Sequence, residues 1–428
     1  MKRASNYFWY GWLLAWLPSL AGAQTTGQPL PPWQLGQLEI HFIHTGRGNC
    51  AYYLFPDGTT MLVDAGEQDP TDPRTLSPRN TALVPDSSRR PYEWIADYIR
   101  SRTPAGRQPG LDYALVTHYH ADHYGTVYLG APVARNGAYV LTGMVGVGDL
   151  VPIHQLIDRG SHYPTDLRSP QVKVRLASLP GGSRGYASLE NYWKFSEYWQ
   201  KAGKLKHQAL QVGKSDQIRL LVTPQHYPNF RVTGLYANGD VWTGREVRHI
   251  FPDLSKAQPG ENQSSCAIKL SYGKFDFFTA GDISGIADLG TPEWYDVESA
   301  IAPYIGEVDV MTVNHHGNRD GTNVQYLRTL KPRVIVQEVW SSDHPGHEVL
   351  RRLTSKWVYP EERDLFATNM LEANKQVIGP ELTNAYRSYE GHVVIRVEPG
   401  GEQYHVYVLN HRNQQRELLK TFGPYLSK

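Results

Sequence analysis

Residues 117–125 read Thr-His-Tyr-His-Ala-Asp-His-Tyr-Gly and place three imidazoles and a carboxylate, His118, His120, Asp122 and His123, within six residues. Donors crowded in this way are costly unless something cationic holds them. On an extended segment His118 and His120, two apart, share one face, while Asp122 and His123 follow where the chain must turn. Imidazole nitrogens with one hard carboxylate suit zinc, with manganese or iron as alternatives. A histidine-rich solvent loop is the bland reading, and this spacing disfavours it.

Elements able to present such a cluster surround it. Leu111 to Val116 is an apolar, β-compatible run, so the cluster caps the C-terminal end of a strand and opens into a loop or helix start. Upstream, Leu38, Ile40 and Phe42 alternate with Glu39 and His41, the period of a half-buried strand. A turn at residues 44–50 with two glycines follows, then strands over 51–55 and 60–63 joined by Pro56-Asp57-Gly58, ending in Asp64-Ala65-Gly66. Residues 67–91 read as a surface loop, and Trp94, Ile95, Tyr98 and Ile99 recur at helical spacing. Glu190 to Gly203 is an aromatic helix, read as core packing with a substrate-facing lid as the alternative.

Further strands are predicted over 266–271 and 275–279, the second leading to Ala280-Gly281-Asp282. Val308 to Val313 delivers Asn314-His315-His316-Gly317, and Arg333 to Trp340 leads to Asp343-His344-Pro345-Gly346-His347. Two closing strands run over 392–398 and 403–409. Several of these strands end in polar or metal-competent residues, which is where open α/β sheets place their sites.

The pattern of His118, His120, Asp122 and His123 resembles the HxHxDH motif of the metallo-β-lactamase superfamily, and the hairpin ending in Leu62-Val63-Asp64-Ala65-Gly66 resembles the start of that fold. The glycine turn is similar to the VGQGDS-type loop of the hydrolase domain of DNA-uptake competence proteins, with Asn49 and Cys50 where that branch has Asp and Ser. Asn314-His315-His316-Gly317 is similar to the HHG motif of the same branch and to the NHH motif of bacterial phosphorylcholine esterases.

The resemblance implies an α/β fold, a four-layer αβ/βα metallo-β-lactamase sandwich of two mixed β-sheets flanked by helices. The hydrolase domain would span 38–411 with a long insertion around 130–255, preceded by a linker over 24–37 and followed by a C-terminal tail over 412–428. By the same resemblance Asp282 is the ligand bridging two metals, and the histidine pair supplies the last ligand. His316 is expected as that ligand and His315 as a substrate-facing acid or phosphate contact; the reverse assignment stays open. His347 resembles a late histidine of the competence-type branch and is a candidate hydrogen bond to substrate, with a surface or helix-start histidine as the equal alternative.

One departure concerns a further histidine that completes the first metal in two-zinc members. His154, His162, His207, His226 and His249 are the candidates here, none in a convincing motif, so one zinc or two are both compatible. With Asp122, His123, Asp282 and His316 around a cation, the implied chemistry is hydrolysis by a water whose pKa is lowered to about 7. Asp122 then serves both as ligand and in catalysis. Phosphodiesters or phosphorylated envelope components are the expected substrates; a lactone, thioester or β-lactam is the alternative, and a non-catalytic metal-binding or scaffold module the third.

The 428 residues, 40% hydrophobic and 20% charged, have ordinary globular composition with ample core. Lys2 and Arg3, the apolar stretch Tyr7 to Leu20 and Ala21-Gly22-Ala23 form an export signal with cleavage expected after Ala23, which predicts a secreted or periplasmic protein without a membrane anchor. Losing that segment takes the formal charge from +1 to −1, and a near-neutral chain lacks the global field that tracks nucleic acid. A small molecule or an envelope polymer is therefore the expected partner. The two cysteines, Cys50 and Cys266, exclude a thiolate zinc site by count. Both lie in strands adjoining the metal-bearing face, so they are expected near enough to pair.

Overall fold

The computed structural model describes residues 25–428 apart from 180, 253, 256 and 287–289. The export signal expected over 1–23 lies outside the described residues. Among these residues, no helix is long and apolar enough to cross a membrane.

Alternation along the first strand, β1 (Leu38–Phe42), sets the pattern for the whole molecule. Leu38, Ile40 and Phe42 enter one core, while Glu39 and His41 point the other way, and all five are buried. A half-buried strand was expected; instead Glu39 accepts from Arg396 Nε at 2.6 Å and lies 2.6 Å from His41 Nε2, beneath a helix whose Tyr98 hydroxyl reaches His41 Nδ1 at 3.0 Å. Buried charge persists here because it is paired on several sides.

After β1 come β2 (Ala51–Leu54), β3 (Thr60–Val63), α1 (Pro91–Arg102), β4 (Leu111–Leu115), the single turn α2 (Ala121–Tyr124) and α3 (Gly143–Leu150). Then follow β5 (Ile153–Asp158), α4 (Pro170–Ala177), α5 (Gly182–Lys201), β6 (Lys206–Ala209), β7 (Phe230–Ala237), β8 (Asp240–Trp242) and β9 (Val247–His249). The second half runs β10 (Ala267–Tyr272), β11 (Phe275–Thr279), α6 (Val297–Ile305), β12 (Val310–Thr312), α7 (Val324–Leu330), β13 (Val334–Gln337) and α8 (His347–Thr354). It closes with β14 (Asp364–Ala367), α9 (Glu372–Ile378), α10 (Pro380–Ala385), β15 (Tyr386–Ser388), β16 (His392–Val397), β17 (Gln403–Leu409) and β18 (Leu418–Leu426).

Two nine-stranded sheets result. One has the order β18-β17-β16-β1-β2-β3-β4-β5-β6 and the other β15-β14-β13-β12-β11-β10-β7-β8-β9. Each is mixed: β3 to β6 pair in parallel beside an antiparallel half, and β11 to β15 do the same in the second sheet. Phe42, Tyr53, Phe277, Val310 and Val334 pack between the sheets. Outside the first sheet, Tyr98, Met144 and Phe195 from α1, α3 and α5 cover it; outside the second, Ile301, Leu327 and Leu350 from α6, α7 and α8 do so. This is the four-layer αβ/βα sandwich expected from the sequence. A sheet buried on both faces needs apolar residues on both, which is why β2 and β3 read as continuous runs.

Four sequence expectations are corrected. Residues 130–255 are less an insertion than part of both sheets, since they supply β5 to β9. The stretch 412–428 is no tail, because β18 pairs along β17 and covers its open edge. The described part of the lead-in, 25–37, is tied down as well: Leu30 is buried with Leu418, and Leu418 N donates to Gln28 O at 2.8 Å. Cys50 and Cys266 are free buried thiols. Cys50 packs between the first sheet and its helices while Cys266 packs between the sheets, so the two side chains occupy different layers.

Candidate metal centre

The cluster runs from the loop after β4 into α2, which carries Asp122 and His123, and two earlier turns grip its backbone. Asn49 N donates to Asp122 O at 2.8 Å, Ala65 N to His123 O at 2.7 Å and Glu67 N to Ala121 O at 3.0 Å. A Cβ on Gly48 or on Gly66 would stand 2.1 Å from Asp122 O, so both turns require glycine to approach this closely. The glycine turn after β1 and the Asp64-Ala65-Gly66 end of β3 therefore act as a clamp on the metal loop.

Asp64 orients the rings. With φ of 58° it occupies the left-handed region, tolerable for a short polar residue, and its carboxylate accepts from Thr117 N at 2.8 Å and from Thr117 Oγ1 at 2.8 Å. The same carboxylate lies 2.8 Å from His123 Nδ1, which fixes the proton there and leaves Nε2 for the cluster. Thr117 Oγ1, its own proton given to Asp64, lies 3.2 Å from His118 Nδ1 and can accept from it, so His118 also turns Nε2 inward.

Six side chains converge as two donor sets: Asp122, His123, Asp282 and His316 form one, and His118, His120 and Asp282 the other. Asp282 belongs to both. His118 Nε2 and His120 Nδ1 are 3.1 Å apart, and His123 Nε2 and His316 Nε2 are 3.3 Å apart. Imidazole nitrogens facing each other at such distances need a cation or a proton between them. Asp282 Oδ1 is buried without a hydrogen-bond partner, 3.2 Å from His123 Nε2. Converging nitrogens, two carboxylates and an unsatisfied buried oxygen fit a divalent metal of the zinc type.

The electrostatics agree with a cation site. Burial opposes charge on His316, but Asp282 and Asp122 outweigh it and hold the ring at about 9. His123 is likewise raised well above its ordinary value, against burial, by Asp282, Asp64 and Asp122. Burial and the neighbouring charge of His123 push His118 well below the usual imidazole range. Asp282, despite burial, is held well below the carboxylate range by His123 and His316. The raised rings and lowered carboxylate mark a position that favours positive charge, as a metal site does.

His315 and His316 both adopt left-handed backbone, with φ of 47° and 55°. The turn thus begins on the histidines and not at Gly317, a conformation costing about 1 kcal/mol or more per residue. Gln337 Nε2 donates to His316 O at 2.7 Å, and the buried Glu298 accepts from Asn314 Nδ2 at 2.7 Å, which together hold it. As a result the rings diverge. His316 enters the donor set, 3.0 Å from Asp122 Oδ2, whereas His315 Nδ1 lies 2.6 Å from Asp320 Oδ1 and its Nε2 is 3.2 Å from Asn262 Nδ2.

The remaining sequence candidates are placed elsewhere. His347 opens α8 at the surface and pairs with Glu381 at 3.0 Å. His207 pairs with Asp158, His249 with Asp240 and His162 with Asp166; His154 lies on β5 and His226 in a short turn, and among the described residues no donor set includes any of the five. Three residues escaped the sequence reading of the site: Asp64, Asp320 and His344. His344 is buried beside His316, and the strand end before Pro345 was the only signal for it.

No family profile matches the chain, and no curated protein does. Among solved structures it is similar to zinc-bound PqqB from Methylobacterium extorquens, 12% identical over 70% of this chain and 88% of that one with a TM-score of 0.30. It is similar also to the hydrolase AbOPH of the beta lactamase superfamily, 13% identical over 61% and 76% with a TM-score of 0.30. Human tRNase Z in its short form is 12% identical over 69% and 91%, with a TM-score of 0.28. Likenesses this weak say nothing of what this chain acts on.

Proposed function

We propose that the protein is an exported metal-dependent hydrolase of the metallo-β-lactamase superfamily that cleaves phosphodiesters or phosphorylated envelope components. The observation that carries the reading is Asp282, shared by two donor sets of otherwise separate side chains. Motif order and the four-layer fold support the superfamily, and the HHG-type pair supports the phosphodiester branch over the lactone and β-lactam alternatives.

A divalent ion held by Asp122, His123, Asp282 and His316, with His118 and His120 available for a second, would supply a Lewis acid and a water acidic enough to react at neutral pH. The chain's own residues do the rest. Asp64 and Thr117 fix the tautomers of His123 and His118. Asp320 fixes His315 so that Nε2 faces the site, and Asp282 and Asp320 raise its pKa against the effect of burial. A ring held in this way can serve as an acid toward a leaving oxygen.

The test is metal analysis of the mature protein with a panel of bis(4-nitrophenyl) phosphate, a chromogenic lactone and a chromogenic β-lactam. Phosphodiester turnover that disappears on chelation and returns with zinc is expected. Turnover that survives complete metal removal, or confined to the lactone or β-lactam, sinks the reading. Intact mass of protein from the cell envelope should show Gln24 as the first residue, and full-length chain in the cytoplasm would contradict export.

A further inference from the structure

Two cavities border the metal loop rather than one. The first, about 930 Å³, is bounded by the loop carrying Arg74, Arg79 and Asn80 and by Ala121, Trp340 and Ser341. The second, about 610 Å³, is bounded by Tyr119, His120, Leu167, Arg175, Tyr186 and Glu261. His120 and Ala121, consecutive residues of the metal loop, thus face different cavities, and Gly181 and Gly185 at the start of α5 border both. The two spaces share that border and together form a groove that passes the metal loop. Each arm alone is in the size range of a complete small-molecule site, about 300–1,000 Å³, so a small diester would leave most of the groove unfilled.

Charge in the arms is arranged alike. In the first, Arg74 pairs with Asp72 and Arg184 with Asp69 and Asp72, while Arg79 reaches Ser342 Oγ and has no carboxylate in ion-pair range among the described residues. In the second, Arg159 is committed to Glu261, and the exposed Arg175 has no carboxylate partner among the described residues. One guanidinium without a counter-charge among the described residues therefore stands in each arm. Two of the aromatic faces that could stack bases are taken: Tyr119 lies under Arg159 and Tyr186 under Lys173, while Trp340 meets His316 and His344 in T-shaped contacts. Binding of single-stranded nucleic acid through its bases needs free platforms of that kind.

We infer that the substrate is a linear phosphodiester-linked chain, bound by its backbone across both arms and cut at an internal bond. The inference rests on the proposed hydrolase reading. Arg79 and Arg175 hold phosphates on either side of the scissile one. In the step itself the oxygen of water joins phosphorus, the bond from phosphorus to the leaving oxygen breaks, and that oxygen takes a proton, giving a phosphomonoester end and an alcohol end on two shorter chains.

The test uses the zinc-loaded full-length mature protein with bis(4-nitrophenyl) phosphate and two series, phosphodiester oligomers of abasic units and oligothymidylates, each from the dimer upward. Rising kcat/KM with length, internal cleavage products and equal turnover of abasic and thymidylate chains are expected. Arg79→Ala and Arg175→Ala should each lower the ratio of long-chain to small-diester kcat/KM about fivefold, the worth of one exposed ionic contact. Turnover of the small diester without any length dependence, release of single units from an end, or cleavage of thymidylates alone overturns this inference and leaves the hydrolase reading standing. Absence of turnover on every phosphodiester, the small one included, overturns both.

Discussion

His344 lies face to face with His316, ring centroids 4.7 Å apart and planes within 19°. Its Nδ1 faces the backbone N–H groups of Trp340 and Ser341, at 3.4 and 3.3 Å, so the ring is fixed from behind and serves as a flat support for the ligand histidine. Burial and the nearby charge of His316 depress its pKa well below the usual range, which keeps it neutral. Loss of such a support costs roughly 10- to 100-fold in metal affinity. His344→Ala should show that loss in a competitive zinc titration, while His347→Ala, altered only at its surface contact with Glu381, should bind zinc as the parent does. Equal affinities in both variants would remove His344 from the site.

Asp282→Ala should lower bound metal and activity together, because both donor sets use this carboxylate. Elemental analysis paired with diester turnover is decisive. Normal values for both would exclude Asp282 as a shared ligand.

The divergence of the histidine pair separates two phenotypes. His316→Ala should lose metal and activity. His315→Ala should keep its metal and lose about 10²- to 10⁴-fold in phosphodiester turnover, the usual contribution of a general acid, with a smaller loss on esters whose leaving groups need no proton. Metal loss in His315→Ala alone would reverse the assignment.

Asp64→Asn should weaken metal binding about 10- to 100-fold, since an amide cannot accept all of the bonds from Thr117 and His123 that align the cluster. Zinc affinity by titration and a crystal structure of the variant would check it; parental affinity with His123 unmoved would rule the orienting role out.

Glu67 is buried and accepts from Gly143 N, and burial raises its pKa from 4.5 to about 7. The folded state then binds a proton that the unfolded state has released, so its contribution is fully present below pH 4.5 and is lost as pH rises through about 7. Glu67→Gln mimics the protonated form. The Tm of the variant minus that of the parent should rise from pH 4.5 to about 7 and level off above it; a difference that stays flat between pH 4.5 and 7 would show that Glu67 titrates normally.

Sequence alone determined the donor types and the strand ends that carry them. Spacing of two between His118 and His120, apolar runs before Asp64, Thr117 and Asn314, and glycines at 48 and 66 are local properties, and local geometry obliges them to place polar groups at the edge of a sheet. Tertiary structure decided the rest, because nothing in a one-dimensional pattern measures distance between residues some 200 positions apart. The order of β10 to β13 brought Asp282 and His316 to the cluster. Left-handed backbone at His315 and His316, imposed by Gln337 and Glu298, decided which ring enters the donor set. Packing also chose His344 over His347: a helix start at residue 347 turned that ring to solvent, while the preceding turn buried the other against His316. Two cysteines that the sequence left free to meet were assigned to different layers, Cys50 between the first sheet and its helices and Cys266 between the sheets, a separation that appears only once the sheets are stacked.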